Sequence, residues 1–441
     1  MFARKPLSGM IVAALTLSAC TGKFGRDRGN FTKITVNSSE ILNDSSLSPK
    51  DKAENLALAA EQLVTGQSFM YADEVASAAL SVDSGNKRAQ LIKALVAPSM
   101  TLKGVLERVK PIAYRNERSR QEYDKTLAGL SKMPNSALKS FLFTGQPDIK
   151  NEKDAQKFIG QIQGAFEGLR QWFKDNKNVE MTLHLPAEFT EQAVRDQGQK
   201  CAAEQVSKGV FEVECDFSRA LEVNINQADI EVAQQIMAGY VIYLSLYNSY
   251  DLSGVIATSD KFSSQPDVKG KIVFEELLKN KDYGVVRDEA ALKNILSMGI
   301  DAIAGLRWAQ KLQKQLCPSG QGVDSNRPGF LVASGICVDQ DSKPLEDSTD
   351  PQYRTFGDVM KAVELVLRGG VISATFNGAL GSITTDIKPS AIFANPIKDV
   401  RNLMPLTYDK CENVVGTADN TLGGIFVRGN ANSVLQLDRC R

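Results

Sequence analysis

The sequence predicts a mainly α protein with an α+β second half. A helical-hairpin first domain is followed by a small antiparallel sheet packed on long helices. Three observations carry this expectation. Apolar residues recur every three to four positions over 48–177. The period drops to two between Val179 and Ile225. Two long apolar helical runs, near 226–247 and 287–316, follow. With 441 residues, 43% of them hydrophobic, the chain can build two or three cores, which excludes wholesale disorder. Its 52 Lys+Arg balance 52 Asp+Glu, leaving no basic excess for a duplex nucleic-acid surface.

The first segment, 1–19, has the layout of a secretory signal. Arg4 and Lys5 form a basic start, Met10 to Leu17 an apolar run, and Ser18 and Ala19 the small residues before a cut. The apolar run is far below the roughly 20 residues that a bilayer span needs. Leu17-Ser18-Ala19-Cys20 resembles the lipobox of bacterial lipoproteins at all four positions. The resemblance implies acylation of Cys20, which becomes the first residue of the mature chain. With Thr21 rather than Asp after it, the resemblance further implies sorting to the outer membrane, more on its periplasmic face than on the cell surface. A multi-chain anchor, at about 0.8 kcal/mol per buried CH₂, is effectively permanent. The alternative is a plainly secreted chain in which Cys20 joins a disulfide.

Six further cysteines remain: Cys201, Cys215, Cys317, Cys337, Cys411 and Cys440. An exported chain oxidises them. Fifteen pairings exist. Joining sequence neighbours is the cheapest scheme (Cys201–Cys215, Cys317–Cys337, Cys411–Cys440), each bridge closing about 15–30 residues for roughly 3 kcal/mol. With no CxxC pair and with His184 as the single histidine, no metal-ligand set is predicted, and no cofactor motif appears.

Residues 20–47 carry Gly, Asn, Ser and Asp with little periodicity and are expected to be a flexible tether. The domain of 48–177 then opens with Ser48-Pro49, a cap followed by a first-turn proline. Leu56, Ala59, Ala60 and Leu63 line one face of its first helix. A second helix is expected over about 68–82, with Ala72, Ala76 and Ala79 on one side, and a third from Ala89. Ala60, Ala72, Ala79, Leu80 and Asp83 occupy the small and exit positions of a helix pair that resembles a tetratricopeptide repeat; Ala76 and Ser84 depart from the pattern. One copy is present, where a solenoid needs about three. Residues 101–132 alternate in charge and read as a solvated helical face. Ala155, Phe158, Ile159, Ile162, Phe166, Leu169, Trp172 and Phe173 form one broad stripe on a helix capped by Asn151.

The α+β domain is placed at 178–441. Segments around 179–184, 211–217 and 221–225 are expected as three half-buried antiparallel strands with one wet acidic face. The helix over 226–247 is apolar nearly all round and is expected in the centre of a core. Polar loops are expected up to about 285, then the helix at 287–316. Strands are expected near Phe330, Val371, Ala374, Ile383 and over 434–437, with a short helix over 356–368.

Catalytic sets are sparse. A hydrolase triad needs a histidine base, and His184 lies in a polar strand pattern. Ser84-Gly-Asn-Lys87 and Ser136-Ala-Leu-Lys139 fit SxxK without the partner motifs of that chemistry. Asp339 to Asp350 begins like a calcium loop, then places Lys343 and Pro344 where a ligand and Gly belong. Glu212, Glu214 and Glu222 are the visible carboxylates for glycoside-type chemistry. The reading that follows is a lipid-anchored envelope module that binds a protein partner and not nucleic acid, without catalysis. A solute-binding accessory of a transport system, with Trp172, Tyr240 or Trp308 in a pocket, is the first alternative. A hydrolase using acids alone is the second.

Overall fold

A computed structural model describes residues 32–131, 137–185, 202–215, 221–265, 268, 270–316, 351–378, 381–400, 407–409, 413–415 and 419–435. The protein is mainly α-helical, with small antiparallel sheets. Two compact units divide the described residues. The first comprises 32–234 and 259–273; the second comprises 235–258, 274–316 and 351–435.

In the first unit, β1 (Thr32–Asn37) leads into α1 (Ser38–Asn43). α2 (Pro49–Gln62), α3 (Phe69–Val82) and α4 (Lys87–Met100) follow as successive packed helices. Ser48 caps α2 by accepting the Asp51 N–H at 3.2 Å, ahead of Pro49 in the first turn. Alanines 53, 57, 60, 72, 76 and 79 are wholly buried, so α2 and α3 approach closely. α5 (Val105–Ala113), α6 (Glu117–Ser131) and α7 (Ala137–Phe143) come next. α8 (Glu152–Asp175) packs along α4; Asn151 caps it by accepting the Asp154 N–H, and Ile159, Leu169 and Phe173 are its buried stripe.

The strands β2 (Met181–Leu185), β3 (Ala202–Ser207), β4 (Val210–Cys215) and β5 (Leu221–Ile225) form two sheets. One has the order β1-β4-β3; the other pairs β2 with β5. The expected single sheet is therefore corrected. Alternation marked β2, β4 and β5 as strands but neither β1 nor β3, and it named no pairing; β4 pairs with both of those missed strands, with Ile34 of β1 opposite Val213. The tether expected at 20–47 is corrected for the same reason: 32–43 is a strand and a helix. Val36 is buried, and the Ser38 N–H and hydroxyl both donate to the Gly209 carbonyl. Phe211 and Val213 point into the core, leaving Glu212 and Glu214 on the outer face.

The division between units also differs from the expected 177/178 boundary. It falls inside α9 (Gln227–Asn248), whose first two turns, up to Gln234, belong with the strands. Asn226 and Asp229 cap the helix start reciprocally, each accepting the other's backbone N–H. The expectation that this helix is buried all round is corrected. Ile236, Tyr240, Tyr243 and Leu246 are exposed, because their spacing puts them on one side while Ala238 and Val241 face inward. The expected polar loops contain α10 (Val255–Lys261) and α11 (Gly270–Leu278).

The second unit is built on α12 (Glu289–Leu316), α13 (Pro351–Leu367) and the hairpin of β6 (Ile372–Gly378) with β7 (Gly381–Ile387). Glu364 on α13 pairs with Arg307 of α12 at 2.6 Å and with Arg368 at 2.9 Å. α14 (Ala391–Ala394) and the short strands β8 (Thr407–Asp409) and β9 (Asn413–Val415) come next. The expected terminal strand is instead α15 (Ala431–Leu435). Its Ala431 packs with Leu422 and Phe426 in a small core beside Phe376. Gly423, Gly424 and Gly429 lie in turns, all with positive φ.

Candidate binding groove

The first unit holds a shallow, open depression of about 500 Å³ between α3, α7 and the outer edge of β3. It is assembled from four separated segments. The start of α3 supplies Met70 and Tyr71, and α7 supplies Ala137, Ser140 and Phe141. Lys103 and Thr144 stand at one end, and Glu204 and Gln205 of β3 form the far wall.

Aromatic packing sets the floor. Phe69 and Phe141 meet edge to face at 5.2 Å, holding α7 on α3, and Tyr71 lies on Phe211 at 4.7 Å, holding α3 on the sheet. Burial pushes the Tyr71 hydroxyl above its ordinary pKa. The backbone N–H of Gln205 hydrogen-bonds to that hydroxyl and offsets part of the rise. The strand register turns that N–H away from β4, toward the groove.

The end wall depends on two glycines. Gly104 has φ 67° and donates its N–H to the Phe141 carbonyl at 2.8 Å. A Cβ there would lie 2.4 Å from the Gly145 Cα, so the chain crosses itself only because both residues lack a side chain. This crossing places Lys103 beside Thr144. Lys103 is exposed and makes no ion pair among the described residues.

The sheet face beside the groove is acidic. On β1, Lys33 sits opposite Glu214 and forms an ion pair with Glu212. Hydrogen bonding to Glu212 raises the Lys33 pKa. On the other side, β3 places Glu204 directly opposite Glu212. Like charges in that relation repel.

A second polar cluster secures β2. Glu61, 1% exposed, accepts from Arg88 Nη1 and from the His184 backbone N–H. Arg88 also donates to the Thr182 carbonyl at 2.7 Å and to Glu54 at 2.9 Å. Thr182 and His184 are two apart, so this carbonyl and N–H lie on the same outer edge of β2. The Arg88–Glu61 pair occupies the place of a neighbouring strand. Burial pulls the Arg88 pKa down, and the charges and hydrogen bonds of Glu61 and Glu54 more than offset this, leaving it raised.

The residues singled out in the sequence are dispersed. Cys20, Cys201, Cys317, Cys337, Cys411 and Cys440 lie outside the described residues, as do Ser136 and the segment from Asp339 to Asp350. Cys215 ends β4. The His184 ring is 55% exposed, with Nδ1 3.3 Å from Glu61. Glu222 sits opposite His184 in the β2/β5 sheet, apart in pairing from Glu212 and Glu214 of β4. The Trp172 Nε1 is buried without a hydrogen-bond partner among the described residues, while Trp308 and Tyr240 are exposed. Tyr71, Lys103, Ser140 and Glu204 had no sequence signal, since their segments have no common spacing. Glu61 had one: it lies on the buried face of α2, four residues after Ala57.

No family model matches this chain, and no curated protein or solved structure matches it.

Proposed function

We propose that the protein is a lipid-anchored envelope lipoprotein. In this reading Cys20 holds it at the outer membrane, and the first unit binds a protein partner without catalysis. The observation that carries the reading is the groove: apolar floor, polar rim and an adjoining sheet edge are the parts from which peptide-binding surfaces are made. The lipobox-like Leu17-Ser18-Ala19-Cys20 supports the placement. The mixed charge of the chain is in keeping with a protein partner rather than a nucleic acid.

The test has two arms in intact cells. A photo-crosslinking residue at position 144 should yield a discrete adduct with an envelope protein, and Ala137→Trp, which fills the groove, should abolish it. An adduct that persists with Ala137→Trp removes the groove from the reading. Separately, Cys20→Ala should release the protein from the membrane fraction; unchanged fractionation and processing would overturn the anchor.

A further inference from the structure

We infer that the outer edge of β3 accepts an extended segment of a partner protein as a fourth strand, and that this segment carries Lys or Arg opposite Glu204. The inference rests on the protein-binding reading above and names the chemistry of what binds.

The sheet ends at β3; among the described residues no strand lies on its other side. The Ser38 N–H donates to the Gly209 carbonyl, so the odd positions of β4 turn to β1 and the even ones to β3; Ala203 and Gln205 therefore turn their N–H and carbonyl groups outward, the Gln205 N–H onto the Tyr71 hydroxyl. Residues 204–208 are exposed, and Val206 is 56% exposed. An edge that no strand pairs recognises extended chain by its own hydrogen-bonding groups, and here a carbonyl of the incoming strand takes the Gln205 N–H in place of the Tyr71 hydroxyl.

Charge selects the side chain. On one side of β4 a lysine answers the carboxylates directly; on the other, Glu204 feels that lysine only at a distance. On β1, Lys33 faces Glu214 and pairs with Glu212. On β3, Glu204 faces Glu212 and makes no ion pair among the described residues. A basic residue on an added strand beside Glu204 repeats what Lys33 does at the other edge. Its neighbours in sequence would point the other way, over Tyr71 and Phe141, and are therefore apolar. Lys103, standing at the end of the groove, disfavours a second basic residue on that side. The register shift between Gln205 and Ser207 ends the regular ladder, so the added strand is short.

The experiment uses the mature chain and three labelled eight-residue peptides, read by fluorescence anisotropy. One alternates Lys with Val, one alternates Glu with Val, and one carries proline at the central Val positions of the Lys peptide. The Lys peptide should bind at least tenfold tighter than the other two. Glu204→Lys, which lies on an exposed face and leaves the core untouched, should reverse the order of the Lys and Glu peptides. Failure of that reversal, equal binding of the proline peptide, or no saturable binding of the Lys peptide would overturn the inference. A crosslinked partner in cells that is indifferent to Glu204→Lys would leave the protein-binding reading standing and remove this one.

Discussion

Removing the Glu61 carboxylate should be among the most damaging single changes in the first unit. The side chain is 2% exposed and its partner Arg88 is 13% exposed, so the pair is largely shielded from water. Glu61→Ala leaves the guanidinium with the Thr182 carbonyl and with Glu54, which is 44% exposed and therefore screened. It also strips the His184 N–H of its acceptor. Breaking a buried ion pair from one side costs about 3–5 kcal/mol. Water can reach the half-exposed His184 and soften the loss of that hydrogen bond, so we expect about 3 kcal/mol. For a unit of this size that corresponds to a fall of roughly 10 °C in Tm.

The assay is thermal and urea unfolding of the mature chain, arranged as a double-mutant cycle. Arg88→Met alone should cost a similar amount, because it leaves a buried carboxylate. Glu61→Leu combined with Arg88→Met, set in the cycle against Glu61→Leu alone and Arg88→Met alone, should recover most of the loss, since both charges are gone and apolar volume replaces them. His184→Ala should change stability by less than about 1 kcal/mol, because the carboxylate takes the backbone N–H and the ring is mostly solvated. A cost below about 1 kcal/mol for Glu61→Ala would refute the reasoning. So would singles that simply add in the double variant.

Other consequences are as concrete. Gly104→Ala forces a Cβ against Gly145 in a positive-φ conformation, and should cost roughly 3 kcal/mol and weaken peptide binding at the adjoining groove, measured by urea unfolding and anisotropy. Asn151→Ala removes the acceptor for the Asp154 N–H at the start of α8 and should cost about 1 kcal/mol, without altering the urea m-value. Hydrogen bonding from Arg368, then from Arg307, holds the Glu364 carboxyl below its ordinary pKa. Its contribution is thus complete above the unfolded carboxylate value and is lost as pH falls through the lower folded value. Glu364→Gln should lower stability at neutral pH and flatten that acid limb in a melting-temperature profile, and an unchanged profile would rule the bridge out as its source.

Helices were legible where a cap and a 3.6-residue period coincided. Ser48 before Pro49 and Asn151 before Asp154 both start helices as read, because the signal and the hydrogen bond it makes lie within one turn. Pairing was not legible. The strand of Thr32–Asn37 alternates Ile34 and Val36 with polar residues, but its partner lies far along the chain, and no local rule names it. The apolar run around Tyr240 was misleading for a different reason. Composition counts apolar residues without saying whether anything covers each face, and Tyr243 is 52% exposed. The groove combines both limits, since its walls meet only after β1, α3, α7 and β3 have found their partners.

The treatment of strand edges links the two polar clusters. An unpaired edge invites any extended chain, including another copy, so folded proteins block it or make it selective. At β2 the edge is blocked: Arg88 and Glu61 fill the positions that a neighbouring strand's N–H and carbonyl would hold. That solution needs two helices brought together at the strand, which is why the charges are buried and why their loss is costly. At β3 no such pair is present among the described residues; the edge instead carries Glu204 and an irregularity after Gln205. Two copies aligned at this edge would bring carboxylate toward carboxylate, and like charges set opposite one another destabilise a pair. The same residue that discourages self-association attracts a basic strand. One carboxylate thus supplies both the repulsion and the attraction that selectivity requires, and it costs little while the edge is open to water.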